Sequence, residues 1–292
     1  MARRRGTQAA ARRVRAQSKR AAARRAGEQS KRADRYDLYQ RAVQEPEADI
    51  PLIQRAFRAQ FSRAARTLRE DFCGTALLAC RWVEKGSDQR AWAIDLDPEP
   101  LEWGRIHNVA KLRAQQAARL KLIEGDVLDI GHERVDVTVA FNFSYFLFRE
   151  RASLLHYFER AYATLNPQGA LLLDVYGGAD SQRTGEESRK VNARFDYIWD
   201  QNRFDPISHH VTNFIHFAFP DGSRMNRAFR YDWRLWSVPE IRELLQEAGF
   251  AKTVVYWEGT DRRTGRGNDV FSPRERASDD PAWICYIAAY RY

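Results

Sequence analysis

Cysteine is scarce in this chain, with three residues, Cys73, Cys80 and Cys285, among 292. The count is odd and holds no Cys-x-x-Cys pair, so neither a disulfide framework nor a zinc cluster is suggested. Free thiols fit a reducing compartment, and the chain reads as cytoplasmic. Long apolar runs are missing as well. The longest, "VTVAFNFSYFLF" at 137–148, is too short to span a bilayer and carries Asn142 and Ser144. No apolar leader stands at the N-terminus, so no secretory signal is expected and the protein reads as soluble. No metal-ligand spacing occurs, and no metal is expected. Glycine is thin where a nucleotide loop would want it: "LREDFCGTALLACRWV" (68–83) holds only Gly74.

What is abundant is charge, and it is unevenly placed. The formal net charge is +9, but residues 1–35 alone hold 13 Lys or Arg against 2 acids. The remainder holds 35 basic and 37 acidic residues, so the body is nearly neutral. The tail is rich in Arg and Ala with almost no large apolar side chain except Val14, so it cannot bury a face and is expected to be disordered or a free-floating helix. Its charge suits RNA, a ribosome or an anionic surface, and it is also somewhat similar to an organelle transit peptide. A solubilising extension with no specific partner explains it equally well.

From residue 67 short β-branched or apolar runs alternate with amphipathic stretches. Strands are expected at 67–70, 91–96, 119–125, 135–141 and 169–175, with helices at 75–85, 98–116 and 150–165. Strands that are apolar on both faces and spaced by helices predict a parallel sheet covered on both sides. Residues 193–236 change character. Aromatic, β-branched segments broken by Asp205-Pro206 and Pro220-Asp221-Gly222 predict an antiparallel β-meander. A helix at 238–248 ending at Gly249 and strands at 253–258 and 283–290 close the chain, joined by a polar loop at 259–282.

In an open parallel sheet, ligands bind beyond the carboxyl ends of the strands. Three successive strands end in or near a carboxylate: Glu70, Asp95 and Asp126, spaced by 25 and 31 residues. An acid ending the second strand can take both ribose hydroxyls, and one after the third can accept from an adenine amine. Asp97, before Pro98, reads as a helix N-cap.

This order, with "LNPQGALLLDVY", the helix "VPEIRELLQEAGF" and the closing strands, resembles the class I S-adenosylmethionine-dependent methyltransferases over roughly 65–292. The resemblance implies an α/β fold: a doubly wound, mostly parallel seven-stranded sheet with its last strand antiparallel, plus the meander insertion. It implies cap helices over 36–66, a methyltransferase domain over 67–292 and a substrate lid over 176–236, with S-adenosyl-L-methionine as cofactor. It assigns to the cofactor Tyr36, Arg69, Glu70, Phe72, Cys73, Gly74, Thr75, Asp95, Leu96, Asp126, Val127, Asn142 and Phe143. The family's Gly-x-Gly-x-Gly appears here as Phe72, Gly74 and Ala76. Arg69 is expected to pair with Glu70 or with the cofactor carboxylate. Phe72 is expected to change the loop or to cover the methionine moiety.

Methyl transfer needs an unprotonated nucleophile near the methyl, and no residue announces itself as a base. "NFSY" (142–145) is similar in spacing to the Asn-Pro-Pro-Tyr motif of amino-methylating enzymes, without its prolines. Asn142, Tyr145, Tyr176 and His210 are the catalytic candidates, with His210 and His216 on one face of a strand. Core packing accounts for the tyrosines and histidines as well. A small-molecule N or O acceptor is expected. The alternatives are an RNA- or protein-directed enzyme anchored by residues 1–35, a nicotinamide-dependent oxidoreductase, and a non-catalytic nucleotide-binding module.

Overall fold

The computed structural model describes residues 28–129, 133–261, 263 and 267–292. The chain forms two units. The smaller takes residues up to Ala42, Thr184–Asn202 and Asn213–Tyr231, and the larger takes Val43–Arg183, Arg203–Thr212 and Asp232–Tyr292.

The chain opens with α1 (Glu28–Arg32) and α2 (Arg35–Val43). Of the tail read as disordered or a free-floating helix, Glu28–Arg32 is helical but not free, and residues 1–27 lie outside the described residues. Helix α1 is fixed by contacts distant in sequence: the amides of Gln29 and Ser30 donate to Asp221 Oδ2 and Ser223 Oγ, each at 3.2 Å.

In the larger unit α3 (Pro46–Phe61) leads into β1 (Thr67–Asp71), α4 (Leu77–Glu84), β2 (Arg90–Asp95), α5 (Pro98–His107), the single turn α6 (Ala114–Ala117) and β3 (Leu120–Glu124). Then come β4 (Val135–Ala140), α7 (Arg151–Ala163) and β5 (Leu165–Gly177). The insertion supplies β6 (Gly185–Lys190), β7 (Asp196–Phe204), β8 (His210–Ala218) and β9 (Arg224–Arg234) as one four-stranded sheet in chain order. After it, α8 (Val238–Glu247), β10 (Lys252–Thr260), β11 (Gly267–Pro273) and β12 (Trp283–Arg291) complete the large sheet, ordered β11-β10-β12-β5-β4-β1-β2-β3.

Strands β1 to β5 pair in parallel, while β12 runs antiparallel to both β5 and β10. The sheet has eight strands where seven were expected. The extra one, β11, lies in the segment read as a loop and pairs antiparallel with β10 through Trp257↔Ser272 and Glu258↔Phe271. It is a polar edge strand, and such strands give little hydrophobic signal. The helix expected over 98–116 stops at His107, because Asn108 turns its side chain to the Thr75 carbonyl at 2.8 Å.

Val137, Val139, Leu172 and Ala288 of the sheet pack with Ile53 and Phe57 of α3 and Ala79 and Trp82 of α4. Each large side chain buried there contributes roughly 1.5–3 kcal/mol. This packing fixes α3 in direction. Its C-terminal end feeds β1, so its first turn lies toward the carboxyl edge of the sheet. Asp97 caps α5 as expected, accepting from the Glu99 amide at 2.9 Å.

Candidate active site

The loop joining β1 to α4 keeps left-handed backbone at all three glycine positions with Gly74 as its one glycine. Phe72, Gly74 and Ala76 have φ of 56°, 53° and 53°, all left-handed. A non-glycine residue there costs roughly 1–2 kcal/mol, so the surroundings must impose the shape. They do so by hydrogen bonds: the Cys73 amide donates to the Ile94 carbonyl at 2.9 Å and the Gly74 amide to Asp95 Oδ2 at 2.7 Å. Asn108 holds Thr75 from the other side. Gly104 lets α5 approach closely, since a Cβ there would lie 2.4 Å from the Thr75 oxygen. Above Gly74 the reverse holds, and a Cβ would meet no heavy atom within 4 Å. That open space over the half-buried backbone of Gly74 is room for a ligand.

The Phe72 ring does not fill it. It turns to Phe148 and Tyr157, with centroids at 6.0 and 5.6 Å. Cys73 is buried, and burial pushes its thiol well above the usual range, so it is no nucleophile.

The strand-end acids occupy three settings. Glu70 is buried, and one carboxylate oxygen accepts from the Ala79 amide of α4 at 2.8 Å. Desolvation pushes its pKa up to about 8. Asp95 accepts from the Gly74 and Asp97 amides, and burial raises it as well. Leu96 beside it is 68 % exposed, an apolar surface offered to solvent. Asp126 is half-buried and accepts from the Leu128 amide at 2.9 Å, while Val127 is buried.

Two further acids, absent from the expected site set, complete the group. Asp174 of β5 accepts from the amides of Asn142 and Phe143 at 2.6 and 2.9 Å, and burial pushes it up to about 8. Asp49, in the first turn of α3, accepts from the Tyr286 hydroxyl at 3.2 Å and is pushed up by burial to about 7. Asp49 also raises Glu70 and Asp174 electrostatically, so the three face one region. Among the described residues no Lys or Arg pairs with Asp49, Glu70, Asp95 or Asp174. Asp49 carried a faint signal in the sequence, an acid in the first turn of a Pro-initiated helix; its partners are far along the chain.

Four expectations are corrected. Arg69 does not pair with Glu70, because strand alternation puts the two on opposite faces. It bonds Asp71 Oδ1 at 2.6 Å and the Val127 carbonyl at 2.8 Å. Tyr145 is fully buried and donates to the Asp174 carbonyl at 2.8 Å, so it has no catalytic face. The Asn-x-x-Tyr likeness fails with it, since Asn142 and Phe143, both left-handed, serve as amide donors to Asp174. His210 is half-buried at the start of β8, and among the described residues no hydrogen bond or ring contact links it to the strand-end residues.

Asn142 stays half-buried at the edge, and Phe143 meets Tyr176 at 4.7 Å. Phe146 stacks on Tyr176 at 5.7 Å, and Trp233 meets Phe143 and Phe146 edge-on. These rings wall the carboxyl edge beside β4 and β5. Tyr36 belongs to the smaller unit, where it packs on Phe229 at 6.0 Å.

The smaller unit also gathers Glu186, Asp200 and His216 closely enough to suggest a metal. The hydrogen bonds argue otherwise. His216 Nδ1 accepts from the Arg227 amide at 2.9 Å, so the neutral ring carries its proton on Nε2, facing Asp200 at 3.2 Å. No nitrogen lone pair remains for a metal, and Glu186 pairs with Arg224 at 2.7 Å.

The fold is that of the class I S-adenosylmethionine-dependent methyltransferases. A methyltransferase of this type from Clostridium acetobutylicum superposes with a TM-score of 0.62 at 14 % identity, covering 87 % of this chain and 96 % of its own. The sugar N-methyltransferase KedS8 from Streptoalloteichus sp. gives 0.59 at 19 %, covering 88 % and 92 %. CalS10, an amino pentose methyltransferase from Micromonospora echinaspora solved with S-adenosylmethionine, gives 0.61 at 15 %, covering 88 % and 95 %. Neither a family sequence model nor a curated protein sequence matches the chain. No helix among the described residues is long and apolar enough to cross a membrane.

Proposed function

We propose that this protein is an S-adenosylmethionine-dependent methyltransferase acting on a small-molecule amine. One observation carries the reading: Asp49, Glu70 and Asp174 gather at the carboxyl edge, raised by burial and with no cation beside them among the described residues. Such a site is electrostatically incomplete. A cationic ligand completes it, and S-adenosylmethionine brings both a sulfonium and an ammonium. A nicotinamide dinucleotide brings a diphosphate, which adds negative charge instead of offsetting Asp49, Glu70 and Asp174, whereas Asp95 would suit the ribose of either ligand. The missing glycines of the loop argue against the dinucleotide on the same side.

In this reading Gly74 and the loop amides border the methionine portion, Asp95 takes the ribose hydroxyls, and Asp126 accepts from the adenine amine. Leu96 and Phe143 cover the base. The cofactor, when bound, supplies an electrophilic methyl, and the chain supplies alignment, an effect worth up to roughly 7–11 kcal/mol. An acceptor amine must arrive deprotonated. Asp49, titrating at about 7, is the base this reading assigns. Asn142 and Tyr176 face the acceptor, and the rings of Phe143, Tyr176 and Trp233 suit a cation before it loses its proton.

The choice of a small amine is supported by the named acceptors of the similar folds, a sugar nitrogen and an amino pentose. The +11 charge of residues 1–35 favours a second reading, an RNA-directed enzyme. Incubation with methyl-labelled cofactor and a panel of amino sugars, simple amines, hydroxylated sugars and total RNA separates them. Label in an amine supports the proposal. Label confined to RNA supports the alternative, and none anywhere counts against both.

A further inference from the structure

The segment after β3 is held in an unusual way. Strand β3 ends the sheet and pairs with β2; the Gly125 amide continues that ladder to the Asp95 carbonyl at 2.9 Å, and past it no neighbouring strand among the described residues holds the chain. Two arginines take that role. Arg69 Nη2, from β1, donates to the Val127 carbonyl at 2.8 Å, and Arg160 Nε, from α7, donates to the next carbonyl, Leu128, at 2.7 Å. Asp126 closes the turn by accepting from the Leu128 amide at 2.9 Å. Two successive peptide planes are thus oriented from opposite elements, and the Asp126 carboxylate is oriented with them.

The clamp is itself anchored. Asp71 holds Arg69 through Oδ1 at 2.6 Å and accepts from the Tyr157 hydroxyl through Oδ2 at 3.0 Å. Arg69, Asp71 and Tyr157 are all buried. A guanidinium sealed in a sheet is costly unless its charge and donors are met, and here the charge meets Asp71 while a donor meets the loop carbonyl. The Tyr157 ring also meets Phe72, so the network that reaches the β3 loop through Asp71 and Arg69 also touches the β1 loop. This accounts for an arginine within a strand otherwise built for the core.

We propose that Arg69 and Arg160 are positioning residues that set the Asp126 carboxylate and so determine selectivity for a 6-amino over a 6-oxo purine nucleoside. The inference rests on the cofactor reading above. An acid can accept from an amine but meets a 6-oxo group as a second acceptor, so its placement governs the discrimination.

The test is calorimetric titration of the full chain with S-adenosylhomocysteine and with its inosine counterpart. The wild-type chain is expected to prefer the adenosine form at least tenfold. Arg160 is half-buried on α7, and Arg160→Ala should cut that preference at least fivefold, with the affinity for the inosine form changing less than twofold. A general loss of structure would weaken both ligands together. Arg69→Lys, which keeps a charge opposite Asp71 but loses the guanidinium fork, is the second variant and should lower the preference likewise. An unchanged preference in both variants overturns the inference alone, as does a wild-type chain that binds both forms equally. A wild-type chain that binds neither overturns the cofactor reading and the inference with it.

Discussion

The Gly74 amide donates to the Asp95 carboxylate at 2.7 Å, joining the turn after β1 to the end of β2. One oxygen of Asp95 thus shapes the loop while the other accepts from Asp97, and the carboxylate still has acceptor capacity toward the open edge. The acid therefore has two tasks, and Asp95→Asn separates them. The variant should lose about 1 kcal/mol of stability, because an amide can serve only one of the two donors well. Its affinity for S-adenosylmethionine should fall at least tenfold, more than that stability change explains. Urea unfolding and titration measure the two; full affinity would remove Asp95 from the ribose.

The left-handed Ala76 carries strain that a glycine would not. Ala76→Gly should raise stability by about 1 kcal/mol, less the extra entropy of the unfolded chain. A higher urea midpoint with unchanged slope is the expected result. A clear loss of stability would mean that the loop imposes no strain at this position.

Much of this was legible in the sequence, and the misses have physical causes. The parallel strands were visible because both faces are apolar, and Glu70, Asp95 and Asp126 because each ends such a run. Strands β6 and β11 escaped because polar edge strands need no hydrophobic pattern. Asp49 and Asp174 escaped as a pair because 125 residues separate them, and only folding brings them to one region. The pairing of Arg69 was misjudged from adjacency; Glu70 is its neighbour in sequence but faces the other side of the sheet. Gly104 was unremarkable in the sequence, since only the approach of α5 to Thr75 reveals why a side chain there would clash.

Burial with no countercharge among the described residues makes the ligand-free protein sensitive to base. Glu70 and Asp174 titrate at about 8 and Asp49 at about 7 when folded, against about 4 when unfolded. The folded state therefore holds more protons between those values. The stability from these groups is fully present below about pH 4 and is lost as pH rises through 7 to 8. The melting temperature should fall by roughly 5–10 °C from pH 5.5 to pH 8.5. Glu70→Gln keeps an acceptor for the Ala79 amide, so it should show a smaller fall. An equal fall in the variant would contradict the assignment of Glu70.

Asp49 is assigned the acceptor's proton, so its loss should act on turnover and not on cofactor binding. Asp49→Asn is expected to lower kcat about 100-fold at pH 7 while the cofactor dissociation constant moves less than threefold. Steady-state kinetics on the amine found by the labelling panel give the first value and titration the second. Unchanged kcat would show that the acceptor's proton leaves by another route.

The central claim is that the carboxyl edge is an anionic site completed by a cationic nucleoside. Calorimetric titration of the wild-type chain and Glu70→Gln with S-adenosylmethionine and NADH, at pH 6 and pH 8.5, addresses it directly. S-adenosylmethionine should bind the wild-type chain, more tightly at pH 8.5 than at pH 6, with Glu70→Gln losing most of that rise and NADH not binding. Binding of NADH in its place, or S-adenosylmethionine affinity independent of pH in the wild-type chain, would contradict the account.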